Sequence, residues 1–141
     1  MKFYRHGGAC HCGNIQIAFH SARLLGEFQP RSCDCSFCRK HGASYVSDPK
    51  GKLVITIRDR AALNSYRQGC ASAEFLICAK CGVLAAVVYA EDERLYAAVN
   101  AKAIENGEAL GQQVRVSPWQ LGADEKKARW KDIWFAQVSI D

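Results

Sequence analysis

Cys33-Asp34-Cys35-Ser36-Phe37-Cys38-Arg39-Lys40-His41-Gly42 puts three thiols within six residues, followed at once by two cations and a histidine. Three sulfurs so close together either oxidise, clash or share a metal, so this is not ordinary core packing. A second thiol set brackets the stretch: Cys10-His11-Cys12 before it and Cys78-Ala79-Lys80-Cys81 after it. The remainder of the chain reads as a frame that positions these thiols.

Eight cysteines in 141 residues suit either a disulfide scaffold or metal sites. The N-terminal residues Met1 to Gly8 contain no apolar core of a signal peptide, and the longest apolar run, Val83 to Ala90, is too short to span a bilayer. A reducing, cytoplasmic setting is therefore expected, where such patterns read as metal sites. With 49% hydrophobic residues the chain can build a core, and its length fits one domain, 1–141.

The net charge of +5 is unevenly spread, +7 up to Cys70 and −2 from Ala71 onward. Seven thiolates and two divalent ions would lower the total to +2. No basic stripe interleaved with aromatics is visible, which argues against a nucleic-acid partner. A small anionic ligand beside Arg39 and Lys40 is compatible with the pattern.

The frame is mainly β. Lys2 to His6 reads as a first strand, and Asn14 to His20 alternates apolar and polar residues with period two. Pro30 ends an ambiguous segment, and the thiol cluster follows on a turn with one helical turn after Cys35. A strand is expected in Ala43 to Ser47, then a turn at Asp48-Pro49-Lys50-Gly51 with glycine serving a positive φ. Lys52 to Ile57 is β-branched and strand-like. A short helical turn within Arg58 to Asn64 precedes strands at Ser65 to Gln68 and Ala73 to Ile77. Further strands at Val83 to Tyr89 and Leu95 to Val99 flank the acidic turn Glu91-Asp92-Glu93. Asn106 to Gly122 gives no clear pattern. Asp124 to Trp130 reads as a short helix, with Asp124 as N-cap and a Glu125/Arg129 pair at i,i+4. Asp132 to Ile140 reads as the last strand.

Cys10-x-Cys12 and Cys78-x-x-Cys81 each end in a glycine, Gly13 and Gly82. Tight turns aim two thiolates at one point, and four thiolates make a closed structural zinc site. Disulfides within a C-x-C would be strained. Cys33, Cys35 and Cys38 offer three ligands and leave a fourth position for water or substrate, the pattern of a catalytic zinc. Two other arrangements fit the same spacing: His41 as a fourth, closing ligand, or a pairing that includes Cys70. Otherwise Cys70 is a lone thiol in a loop. His11 points away from its neighbours' metal, and His6 and His20 read as surface residues. Trp119, Trp130, Trp134 and Phe135 read as core and lid packing.

Gly8-Ala9-Cys10-His11-Cys12-Gly13-Asn14-Ile15, then Cys33 to Ala43, then Cys78-Ala79-Lys80-Cys81-Gly82 resembles the glutathione-dependent formaldehyde-activating enzyme family, also called the centromere protein V family. The resemblance implies several small coiled antiparallel β-sheets around zinc knuckles, with one or two short helices. It implies two zinc ions per chain: a structural one on Cys10, Cys12, Cys78 and Cys81, and a labile catalytic one on Cys33, Cys35 and Cys38. It also implies carbon–sulfur lyase chemistry that joins glutathione, or a similar thiol, to formaldehyde or a related aldehyde. In this reading Arg39 and Lys40 hold carboxylates of the thiol compound, and His41 carries a proton to the new hydroxyl. The rival reading is a zinc-stabilised binding module of the same family without turnover. Asp34, Phe75 and Val83 depart from residues common in the family, and the segment after Ala103 matches none of its motifs.

Overall fold

The computed structural model describes residues 2–69 and 71–141; Cys70 and any role for it lie outside the described residues. The frame is mainly β, as its alternation implies. Its eleven strands are β1 (Tyr4–Ala9), β2 (Ile15–Ser21), β3 (Arg31–Cys33), β4 (Tyr45–Val46), β5 (Lys52–Ile57), β6 (Leu63–Tyr66), β7 (Ala73–Cys78), β8 (Leu84–Glu91), β9 (Arg94–Asn100), β10 (Val114–Val116) and β11 (Gln137–Ile140). Two α-helices join them, α1 (Ser36–His41) and α2 (Ala123–Ile133).

The strands gather into two sheets, in the orders β1-β2-β5-β11 and β10-β3-β4-β9-β8-β7-β6. Most pairs are antiparallel, but β10 joins β3 and β11 joins β5 in parallel. Both parallel strands come late in the chain, after long connections, and parallel pairing needs such connections.

The larger sheet is buried on both faces. Ala86, Val88, Ala97 and Val99 pack with Ile17, Phe19, Leu53 and Ile55 of the smaller sheet. Their neighbours Val87, Tyr89, Tyr96 and Ala98 face the other way, toward Cys38 and Trp130 of the helices and toward Trp134. Residues 84–89 are buried without interruption. A strand covered on both faces has to be apolar throughout, which accounts for the run from Val83 to Ala90. The smaller sheet keeps the period-two pattern, because its outer face meets solvent.

The turn at Gly51 and the helix near the C-terminal end differ from the sequence expectation. Gly51 closes the Asp48 turn, its N–H donating to the Asp48 carbonyl at 2.9 Å. It is not among the glycines with positive φ. A Cβ there would lie 2.8 Å from the His20 carbonyl oxygen and 2.9 Å from Phe135, so glycine serves a close approach. In the β8–β9 hairpin, Asp92 and Glu93 take φ of 50° and 64°, the two left-handed residues of a two-residue turn that follows sheet twist. Helix α2 is capped by Gly122 rather than by the side chain of Asp124, and it runs through Ile133. The last strand is therefore shorter than Asp132 to Ile140. Arg129 forms no ion pair with Glu125, because it is turned toward a cavity beneath the helix.

Candidate metal centre and active site

Each pair of the outer thiol set sits at a β-hairpin: Cys10 and Cys12 between β1 and β2, Cys78 and Cys81 between β7 and β8. The two hairpins belong to different sheets, so the four-thiol group joins the sheets at one end. Gly13 and Gly82 take φ of 85° and 78°, which lets each knuckle turn back under its sulfurs. Asn14 locks the arrangement: its side chain donates to the carbonyls of Asp59 and Ala62 and accepts from the Asp59 N–H at 2.8 Å.

The four sulfurs lie within 4.8 Å of one another. Cys12 Sγ is 3.8 Å from Cys10 Sγ and 3.5 Å from Cys78 Sγ. Zinc–sulfur bonds of about 2.3 Å in a tetrahedron put sulfurs about 3.8 Å apart, so this donor set fits zinc. Backbone N–H groups of Ile15 and Lys80 reach Cys10 and Cys78 at 3.2 and 3.3 Å, and such bonds favour thiolates. Against the desolvation that opposes it, the backbone N–H groups of Cys12 and Val83 bring the Cys81 thiol down to about 6.

The inner set is local. Cys33 ends β3, Cys35 is the N-cap of α1, and Cys38 lies in its first turn. The Cys35 sulfur accepts from the Cys38 N–H at 3.4 Å, and Gly42, at φ 64°, ends the helix. These three sulfurs also lie within 4.8 Å of one another. They offer three soft donors and therefore fit zinc with one position to spare. A hydrogen bond from Cys38, opposed by burial, brings the Cys33 thiol down to about 6. Burial pushes the Cys35 thiol up. Tyr45, buried in β4, places its hydroxyl 3.2 Å from Cys38 Sγ; burial holds its proton firmly in place.

A cavity of about 300 Å³ opens on these sulfurs. Cys33, Cys35, Cys38 and Tyr45 line it together with Phe75 and Val87 of the larger sheet. Trp130 of α2 and Trp134, which caps its C-terminus, line it from the other side, with their rings stacked 5.0 Å apart. Trp119 stands at its edge, fixed by Asp34, whose carboxylate accepts from Trp119 Nε1 at 2.6 Å and Ser117 Oγ at 2.7 Å. Arg115 adds an ion pair at 3.2 Å. These bonds, that of Ser117 first, hold the Asp34 carboxyl below its ordinary range. Asp34, the residue between two sulfurs, thus ties the cavity's edge to the thiol loop.

All seven thiols named from the sequence fall into two clusters. Arg39, Lys40 and His41 do not join them. All three are exposed at the end of a six-residue helix. The His41 ring lies 4.6 Å from that of Phe37, outside the three-thiol group and outside the cavity lining. The cations that do line the cavity are Arg31, Lys126 and Arg129, which the sequence reading passed over. A signal for the last two was present: residues 126, 129, 130, 133 and 134 form an i, i+3, i+4, i+7, i+8 stripe, the spacing of one helix face. His6 and His20 stay outside both thiol clusters, and His6 Nε2 bonds the Arg23 carbonyl at 2.9 Å.

Among the described residues no helix is long and apolar enough to cross a membrane. The fold is similar to the crystal structure of a Rhodobacter sphaeroides protein, at 26% identity and a TM-score of 0.50 over 77% of this chain and 99% of that one. The model of the glutathione-dependent formaldehyde-activating enzyme family matches residues 5–118, a span that holds both thiol clusters and ends before α2. With its knuckles, its inner thiol triplet and this match over most of its length, the chain belongs to the glutathione-dependent formaldehyde-activating enzyme family.

Proposed function

We propose that the chain is a zinc-dependent carbon–sulfur lyase that joins a small thiol to formaldehyde or a related aldehyde, with the zinc of the outer set structural and that of the inner set catalytic. The observation that carries this reading is the inner triplet at the wall of a cavity: three thiols with no fourth protein donor among the described residues, next to space for a ligand. A four-thiol site is closed, whereas a three-thiol site beside a cavity leaves room for substrate.

Bound at Cys33, Cys35 and Cys38, zinc supplies a position at which an incoming thiol loses its proton near neutral pH. The protein's own residues do the rest. Tyr45 orients the Cys38 sulfur, and Phe75, Trp130 and Trp134 exclude water from the reacting groups. The substrate sulfur attacks the aldehyde carbon, the carbon–sulfur bond forms as the carbonyl π bond opens, and the thiol's proton ends on the new hydroxyl. The thiolate is the nucleophile, so a site that holds it ionised accelerates the addition.

The test is exchange spectroscopy with ¹³C-formaldehyde at equilibrium with a thiol, run in parallel with glutathione and with the smaller 3-mercaptopropionate. Zinc-loaded protein should speed exchange between free formaldehyde and the S-hydroxymethyl adduct, and Cys35→Ser should abolish that effect. A folded protein carrying two zinc ions that leaves the exchange rate at its buffer value, with glutathione and with smaller thiols alike, contradicts the enzyme reading and favours a non-catalytic binding module.

A further inference from the structure

The cavity over the inner thiols is lined by three cations, Arg31, Lys126 and Arg129, and by no carboxylate among the described residues. Building on the reading that this cavity takes a thiol, we propose that it carries an anion subsite. Arg31 and Arg129 hold a carboxylate of the substrate, Lys126 stands by at the edge, and Trp130 and Trp134 take its apolar portion. The substrate class is a small thiol acid without an amino group.

Charge balance supports this. Three thiolates and one divalent ion leave a single negative charge, and the three cations exceed it by two. Arg31 and Arg129 line the same cavity. Among the described residues neither forms an ion pair. Like charges gathered against apolar rings are costly until an anion joins them. Arg31 is also fixed in place. Its Nη2 donates to Ser47 Oγ at 2.7 Å, and that hydroxyl donates to the Ile133 carbonyl at 2.6 Å. The bond chain couples β3 to the end of α2 and leaves the other donors of the guanidinium for a ligand; a planar fork of this kind suits a carboxylate.

Size and lining narrow the class. A cavity of about 300 Å³ is at the small end of ligand pockets, which run from about 300 to 1,000 Å³. Among the described residues no lining acid is present to receive an ammonium group. Arg129, Lys126 and the two tryptophans lie after residue 118, where the family match ends. The matched span holds the three thiols and Arg31 but none of these four residues.

The test uses zinc-loaded protein and three thiols of similar size: 3-mercaptopropionate, 2-mercaptoethanol and cysteamine. Binding is read by calorimetry and by the fluorescence of the cavity tryptophans. The anionic thiol should bind about 10-fold or more tightly than the neutral one, the worth of a charge-assisted bond, and the cationic thiol should bind weakest. Arg129→Gln should cut most of that advantage, weakening the anionic thiol far more than 2-mercaptoethanol. Lys126→Gln, at a half-buried position, should weaken the anionic thiol by less. A thermal melt checks that each variant folds, and loss of the preference in 0.5 M KCl provides the same test without substitution. Equal affinity for the three thiols overturns the subsite and leaves the thiol reading standing. If no thiol binds, but 3-phenylpropionate quenches the wild-type tryptophans and not those of Arg129→Gln, the subsite stands and the thiol reading falls.

Discussion

At the scale of single residues, the two thiol sets contribute to different things. Cys10 and Cys81 lie far apart in sequence, at hairpins of different sheets, so a metal held by the outer group would add its binding energy to folding. Cys33 to Cys38 span one turn, and the chain around them is already held by β3 and α1. Cys78→Ser should therefore give unfolded or aggregated protein. Cys35→Ser should fold, melt close to wild type and carry one zinc fewer. Equal losses of thermal stability in the two variants would remove the distinction between a structural and a catalytic site.

At the scale of elements, β1 is positioned by a close approach. A Cβ on Gly8 would sit 2.2 Å from the Ala103 carbonyl oxygen, across the bridge between Gly8 and Ile104. Gly8→Ala should push β1 away from that segment and cost about 1–3 kcal/mol, as overpacking does. A chemical-denaturation midpoint at the wild-type value would count against this packing. Helix α2 is tied to the β8–β9 hairpin by Lys131 and Glu91, 2.8 Å apart, with Tyr89 donating to the same carboxylate at 2.9 Å. The hydrogen bond from Lys131, then that from Tyr89, holds the Glu91 carboxyl below its ordinary 4.5. A carboxylate lowered on folding stabilises above 4.5, and the contribution fades as pH falls through the lower folded value. Wild type should out-melt Glu91→Gln at pH 7, and the difference should vanish in acid. A gap that stays constant below pH 4 would contradict the tie.

The legibility of the sequence followed from how local each signal was. Period-two alternation in β2 and β5 and the proline–glycine turn at residues 48–51 are short-range, and they can be read from the chain. So are the thiol spacings, because a knuckle is a turn of a few residues. The cavity was not legible, because its lining comes from β3, β4, β7, β8 and α2, and only the fold brings them together. Arg39 and Lys40 were adjacent to the thiols in sequence, yet α1 turns them outward. Arg31 and Arg129, about a hundred residues apart, line the cavity instead. The strand expected from Asp132 cut the 126–134 stripe in two, so the helix face that covers the site was missed. Extended runs such as Trp134-Phe135 read equally well as helix end or strand start.

At the scale of the whole molecule, the larger sheet divides the work. One face packs on the smaller sheet to make the core, and the outer thiol group fastens the two at their hairpins. The other face carries α1, α2 and the inner thiols around the cavity. Under the proposed function, the site that stabilises the fold and the site that carries the chemistry would lie on opposite sides of one sheet. The most direct test is the zinc content of wild type beside Cys35→Ser, by elemental analysis of protein purified without chelator and reloaded with zinc. Two sites of this kind predict about two equivalents in wild type and about one in a folded Cys35→Ser. One equivalent in wild type that does not rise on reloading, or the same content in both proteins, would contradict the account.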